Sequence, residues 1–336
     1  MATTRLTDAV VPEVFASYMM KNTVQKMALY DAGVMRSDSD LVNKLAGGGR
    51  TFNVPFWKDL DDTESNIAND DPTDYATPLK LGSGTDIAAR QIRTQAWSSA
   101  KLVSELAGSD PMKRISERVS AYWARQFDDI ALATAKGIVA DNVANDSGDM
   151  VHDVATDAAT AATAAELVSA ENIMDAAQTM GDAKEDLKVI TMHSVVNNRL
   201  AKLDLIDFRP DSTGKVMVPY YLDYRVMVSD KCTTVAGTNR ITYSTYLWGA
   251  DAMAWAESPV DTPVEVDPDP LAANGMGVDT LVTRRQVAIH MYGIKWTDTT
   301  VTGEFPTNTE LALAANWDRV YAERKQIPFA VLKTNG

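Results

Sequence analysis

Acid–base chemistry near neutral pH draws first on histidine, and this chain has three, His152, His193 and His290. They lie 41 and 97 residues apart and share no motif. His193 follows a strand-like run, Leu187 to Met192, and precedes a helix start, a position where α/β folds place functional side chains. A turn residue at a strand end explains it more simply, and the sequence is read that way. The single cysteine, Cys232, excludes an internal disulfide and, with no histidine near it in sequence, reads as a small buried hydrophobe. His-Glu-x-x-His, Cys-x-x-Cys, a phosphate loop ending in Gly-Lys-Ser/Thr and the Gly-x-Ser-x-Gly elbow are all missing from the sequence.

Carboxylates are the next candidates. Asp59, Asp61, Asp62, Asp70, Asp71 and Asp74 cluster in one stretch and could hold a hard divalent cation, but the stretch lacks the glycine at the sixth position and the glutamate at the twelfth that mark a calcium loop. It reads as a solvated loop. Asn145-Asp146-Ser147 matches a glycosylation sequon, incidental for a cytoplasmic chain. Gly82-Ser83-Gly84 lacks the third glycine of a dinucleotide fingerprint and is turn chemistry. Trp123 falls on a helix core face and Trp248, Trp255 and Trp296 fall in strands, so packing accounts for them. The expectation is a chain with no catalytic residue, no metal and no cofactor.

The 336 residues are 45% hydrophobic, enough for one large domain or two ordinary ones with a real core. No run approaches the roughly 18 apolar residues of a membrane span, and Met1 to Phe15 lacks the basic start and apolar run of a signal peptide. A cytoplasmic setting is expected. The net charge of -14 would repel phosphate backbones, and the lysines and arginines are scattered, so sequence-specific nucleic-acid binding is not expected.

Residues 1–46, with Val10, Val11, Val14, Phe15, Tyr18, Met19, Val24, Met27, Leu29 and Tyr30, suggest short helical pieces of an arm. After Gly47-Gly48-Gly49 the run Thr51 to Phe56 alternates with period two, placing Phe52, Val54 and Phe56 on one face of a strand that Pro55 confines to an edge. An acidic loop tip, Asp59 to Pro78, follows, and the chain returns through Thr85 to Trp97. Two limbs of this length extend roughly 50 to 65 Å, too far and too polar to serve their own subunit. Ser109-Asp110-Pro111 opens a helix whose apolar positions Met112, Ile115, Val119, Tyr122, Trp123, Phe127, Ile130 and Ile138 keep the helical period, with Arg114, Glu117, Arg118, Arg125, Asp128 and Asp129 on the other face. Residues 141–168 read as a small-residue linker, Ser169 and Ser194 as helix caps, Leu187 to Met192 as a buried strand, and Tyr220 to Val228, Ile241 to Trp248, Ala252 to Ala256 and Leu281 to Tyr292 as further strands, with turns at Pro259 to Gly277. The fold class is α+β.

In this order, the segments Val11 to Phe15, Gly48 to Trp57, the helix from Pro111, Val189 to Leu203 and Met291 to Trp296 resemble the major capsid proteins of tailed bacteriophages, of the Hong Kong 97 fold, over nearly the whole chain. The resemblance implies an N-terminal arm at 1–46, an extended β-hairpin loop at 47–100, a peripheral domain at 101–164 with its spine helix at 109–142, an α/β axial domain at 165–255, and a return to the peripheral domain with the C-terminal segment at 256–336. It further implies a structural subunit that assembles with copies of itself into pentamers and hexamers of an icosahedral head enclosing double-stranded DNA, with a portal and separate scaffolding or decoration proteins as partners, in a virion assembled in the host cytoplasm. Gly48, Gly49, Phe52, Val54, Phe56, Trp57, Ile87, Ile92, Trp97, Arg114, Arg118 and Arg125 are the expected assembly residues. Arm-like sequence within about ten residues of Met1 implies no cleaved scaffolding segment, and Lys58 and Lys80 have no evident asparagine partner for a subunit crosslink. The rival readings are an encapsulin-type nanocompartment shell and a soluble α/β enzyme using Asp and His193.

Overall fold

The computed structural model describes residues 28–60, 63–68, 70–73, 75–102, 111–203, 205–210 and 217–336, the side chains of Pro111 and Arg114 apart. The segment Val11 to Phe15 and the caps Ser109 and Asp110 lie outside the described residues, as do Asp61, Asp62 and Asp74.

Residues 28–46 are built into the body. Helix α1 (Ala28–Asp31), strand β1 (Met35–Ser37) and helix α2 (Ser39–Ala46) bury Leu29, Met35, Leu41 and Leu45, and Asp38 caps α2 by accepting from the Asp40 and Leu41 N–H groups. An arm was expected here. The apolar residues instead sit at helical spacing that closes over the sheet, and burying them outweighs leaving the segment free. Strands β2 (Thr51–Trp57) and β3 (Ser83–Ala89) form an isolated antiparallel pair in which Thr51 faces Ala89 and Trp57 faces Ser83. The expected extended arm ends there. Strand β4 (Gln91–Ala100) follows after Arg90 and pairs over its full length with a core strand.

Helix α3 (Pro111–Asn145) is about 50 Å long. Val119, Trp123, Phe127, Ile130 and Ile138, three, four or eight residues apart, are buried along one side. The helix runs three residues past the expected end, and Asn142 then folds the chain back, its Oδ1 accepting from the Met150 N–H at 3.0 Å. The presumed linker therefore carries a short strand, β5 (Val151–Asp153).

The remaining elements are α4 (Ala170–Gln178), β6 (Leu187–Met192), α5 (Ser194–Lys202), β7 (Asp207–Pro210), β8 (Met217–Tyr221), β9 (Tyr224–Val228), β10 (Thr234–Ala236), β11 (Ile241–Gly249), β12 (Met253–Ser258), β13 (Val264–Asp269), β14 (Val278–Met291), β15 (Ile294–Trp296), α6 (Asn308–Leu311), β16 (Trp317–Arg319) and β17 (Phe329–Thr334). Ser169 caps α4 as read, whereas His193 rather than Ser194 caps α5. The single strand expected from Tyr220 to Val228 is the β8–β9 hairpin, turned by Leu222 and Asp223 at φ 47° and 69°. The turn region 259–277 contains β13, whose Pro268 is tolerated at a sheet edge.

Two sheets organise the body. One runs β1-β12-β14-β13 with β4 on the other side of β14, and the other runs β5-β17-β11-β6-β9-β8-β7 with β10 on β11. Hydrogen bonding cuts across the expected borders near 255: β12 belongs to the first sheet and the C-terminal β17 to the second, between β5 and β11. Helix α3 packs on the first sheet through the main core, while α4 and α5 enclose a separate core with Ile190, Leu247 and Leu332. Among the described residues no helix is long and apolar enough to cross a membrane.

Candidate assembly surfaces

The three histidines stand in three places. His152 lies on β5 opposite Leu332. His193 Nδ1 accepts from the Val195 N–H at 3.2 Å, its Nε2 is 3.9 Å from an exposed Asp230 carboxylate, and its ring tilts against Tyr243. That is the work of a cap. His290 is sealed inside β14. The Cys232 thiol is buried, and burial, helped by the nearby Asp230 charge, pushes it up to about 12, so it carries no thiolate at neutral pH. Among the described residues no group of His, Cys, Asp and Glu is arranged to hold a metal ion.

What the chain does present is surface. The turn from α2 into β2 passes through Gly48 and Gly49, both at φ 89°, a conformation glycine adopts without a Cβ penalty. Phe52 is buried with Leu41, Leu45, Ala88 and Ala288 in a small core under the hairpin root, and Val54 packs against it. Phe56 meets the Tyr321 ring edge-on at 4.8 Å. Trp57, on the opposite face, is 72% exposed. Lys44 donates to the Asn53 carbonyl at 2.9 Å, Arg50 pairs with Asp298 at 3.0 Å, and Arg90 donates to the Leu45 carbonyl. Ile87 packs half-buried on the main core.

Between the limbs, the described part of the loop has no helix or strand, and Ile67 and Tyr75 are each 84% exposed. Leu60, Leu79 and Leu81 are exposed with them. Five large apolar side chains in one polar loop, all facing water, stand out against the sealed cores.

Strand β4 and helix α3 form the second surface. Trp97 and Tyr122 meet edge-on at 5.2 Å and, with Ile115 and Val119, floor a cleft of about 520 Å³ flanked by exposed Arg118 and Arg125. The Arg114 side chain lies outside the described residues. Ile92 is half-buried on β4, away from this lining.

Two constellations were not read from the sequence. Asp86 and His290 form one. Glu310 forms the other: its carboxylate accepts from the N–H and hydroxyl of both Thr307 and Thr302, all at 2.9 Å, and Asn316 beside it donates to the Glu310 carbonyl at 2.8 Å. The spacing Thr307-x-x-Glu310 is a capping box and was a usable signal. The Thr307 N–H, then those of Thr302, hold the Glu310 carboxyl down at about 2. With a folded value below the ordinary 4.5, its contribution to stability is complete above pH 4.5 and is lost as pH falls through about 2. Protection of the 302–311 amides, taken relative to intrinsic exchange at each pH, is accordingly expected to fall between pH 4 and 2, and Glu310→Gln to lower it at pH 7 with no further fall on acidification.

A long helix packed on one sheet, a second α/β core and a hairpin of β2 and β3 are the architecture that the resemblance to shell subunits called for. Solved structures agree. The capsid of Ralstonia phage GP4 matches over 93% of this chain and 92% of that one, with a TM-score of 0.57 at 10% identity. The cyanophage Pam1 capsid matches over 93% of both chains, again with a TM-score of 0.57 and 10% identity. The fold is that of the Hong Kong 97 type capsid subunits. At the sequence level, the family described as major capsid protein 13-like matches residues 49–328. The major capsid protein of Bacillus phage SPP1 is 38% identical over 331 residues, 97% of this chain and 96% of that protein. The chain belongs to the Gp13-like major capsid protein family. It is a structural subunit of a tailed-phage capsid, many copies of which make up the shell of the virion.

Proposed function

We propose that this subunit forms the pentamers and hexamers of an icosahedral head enclosing double-stranded DNA, and that it does so without enzymatic activity. The observation that carries the reading is the loop between β2 and β3, whose Leu60, Ile67, Tyr75, Leu79 and Leu81 are exposed in the single subunit. Apolar surface of that kind marks a partner. The residues Gly48, Gly49, Phe52, Val54 and Phe56 shape the hairpin that carries the loop, Trp57 extends its contact surface, and Trp97, Arg118 and Arg125 present a cleft on another face. The 47–89 segment is then the extended loop, α3 the spine of the peripheral domain, and the sheet around β6 and β11 the axial domain. A portal and separate scaffolding or decoration proteins complete the particle, assembled in the bacterial cytoplasm around DNA held without sequence readout, consistent with the net charge of -14.

The test is sedimentation velocity and negative-stain microscopy of the purified full chain, expected to give rings or shells. A monomer at all concentrations removes the proposal. Nuclease-protected DNA inside particles from infected cells supports the head, while enclosed enzyme in place of DNA would make it a compartment shell.

A further inference from the structure

A buried polar contact holds the hairpin where it leaves the body. Asp86 of β3 is 2% exposed and His290 of β14 is 1% exposed. Asp86 Oδ2 lies 2.9 Å from His290 Nε2 and accepts the Gly293 N–H, also at 2.9 Å, while Oδ1 accepts the Ile87 N–H at 2.8 Å. Gly293, at φ 89°, forms the turn between β14 and β15, and its carbonyl accepts from Val320 at 2.8 Å and Tyr321 at 3.2 Å. A Cβ there would fall 2.4 Å from the Tyr321 ring, the same ring that Phe56 of β2 packs against. Both limbs of the hairpin are thereby tied to one turn, β3 through a carboxylate and β2 through an aromatic edge.

We propose that the Asp86–His290–Gly293 contact is the positioning element for assembly, fixing the direction in which the hairpin and its loop leave the subunit. The proposal rests on the shell reading above. Its physical basis is directional: the apolar core of Phe52, Ala88, Leu41 and Leu45 under the root anchors the hairpin without a directional bond, whereas Asp86 ties β3 to the body from a buried position. A two-stranded ribbon is marginal alone. It is entered through two left-handed glycines, and no atom stands within 4 Å of a Cβ at Gly48. The Arg50–Asp298 pair and the Lys44 contact are at the surface, where exchange with water costs little. Asp86 differs because withdrawing the buried carboxylate leaves the Gly293 N–H without its acceptor and strips the buried His290 ring, which makes no hydrogen bond of its own, of the carboxylate that lies against it. The hairpin is therefore held at one angle instead of drifting. Beyond Asp86 the three remaining residues of β3, Ser83–Thr85, span roughly 10 Å, so an error of about 10° displaces the end of the ribbon by about 2 Å and the loop beyond it by more.

The test uses the full chain as unassembled subunits and then under assembly conditions, with His290→Leu, Asp86→Asn and Gly293→Ala, and Arg284→Ala elsewhere on β14 as the control. Hydrogen exchange of the 51–57 and 83–89 amides is expected to rise at least tenfold in the three variants, with the 329–334 amides unchanged, and shell yield to fall at least tenfold. The control should match the parent in both. Should His290→Leu fail to fold, Asp86→Asn, which keeps the side-chain size and an acceptor for Gly293, carries the test. Unchanged hairpin exchange, or exchange raised equally in every strand, overturns the positioning role. So does loosened exchange with full shell yield, and that outcome leaves the shell reading standing, whereas a parent chain that never assembles removes both.

Discussion

A subunit in which Asn-Gly replaces Asp59–Leu81 is expected to fold as the full chain does and to form no shells. The β2–β3 ladder runs to Trp57 opposite Ser83, and Lys58 still donates to the Gly82 carbonyl at 2.9 Å. Asn-Gly closes two such strands in the turn type that matches their twist. None of Leu60, Ile67, Tyr75, Leu79 and Leu81 belongs to a core cluster, so their removal takes no packing from the subunit. Shortening the loop about tenfold even lowers its closure entropy by roughly 2 kcal/mol. The melting temperature should stay level or rise.

Assembly is another matter, because each apolar side chain that a neighbour would bury is worth roughly 1.5–3 kcal/mol before ordering costs. A shell made of many weak repeated contacts cannot lose five such side chains per subunit. Calorimetry and sedimentation velocity on the same preparation read the two halves of the expectation. Shells at the parent yield would show that the loop serves neither contact nor reach.

The parts of the molecule legible in the sequence are those where local pattern and final environment agree. Val119, Trp123, Phe127 and Ile130 repeat every three or four residues because α3 is long and one-sided, and the structure buries all four. Phe52, Val54 and Phe56 alternate because β2 has one covered face. The acidic loop showed no period because no part of its described length packs. Failures came where a distant strand decides. Gln91 to Ala100 looks like polar hairpin, yet β14 lies beside it and turns it into a core-sheet strand. Leu29, Leu41 and Leu45 read as an arm because their cover, β12 and the neighbouring sheet, lies some 200 residues away in sequence.

Polar core contacts were the least visible. Asp86 sits in an ordinary strand pattern, and neither its own neighbours nor those of His290 announce that the two meet. The buried Arg285–Glu257 pair at 2.8 Å joins β14 to β12 in the same silent way, with burial pushing the Glu257 carboxyl up against the opposing pull of Arg285. Such pairs depend on register between strands remote in the chain, which no local spacing encodes.

Gly137 illustrates how a residue that looks like a flaw in a helix can be a requirement of packing. Glycine inside a helix costs roughly 1 kcal/mol relative to alanine, so helix propensity alone favours Gly137→Ala. The surroundings reverse that sign. A Cβ at 137 would lie 2.0 Å from the Leu311 carbonyl oxygen and 2.4 Å from Trp317 Nε1, atoms that are themselves joined by a 2.7 Å hydrogen bond. The methyl group must push α6 off the spine helix, break that bond and leave the Trp317 N–H and a backbone carbonyl buried without partners, at about 1–3 kcal/mol for the unmet groups and a further 1–3 for overpacking. Gly137→Ala is therefore expected to destabilise the subunit by about 3 kcal/mol net in denaturant unfolding. Gly148→Ala supplies the comparison: φ there is 70°, but no atom lies within 4 Å of the added Cβ, so only backbone strain of about 1 kcal/mol is expected. The damage at 137 should also spread toward the assembly surface, because Trp317 leads through β16 to Tyr321, the ring on which Phe56 rests. Equal destabilisation by the two substitutions would mean that α6 yields without cost, and that the contact between the spine helix and the turn at 308–317 is looser than its hydrogen bonds indicate.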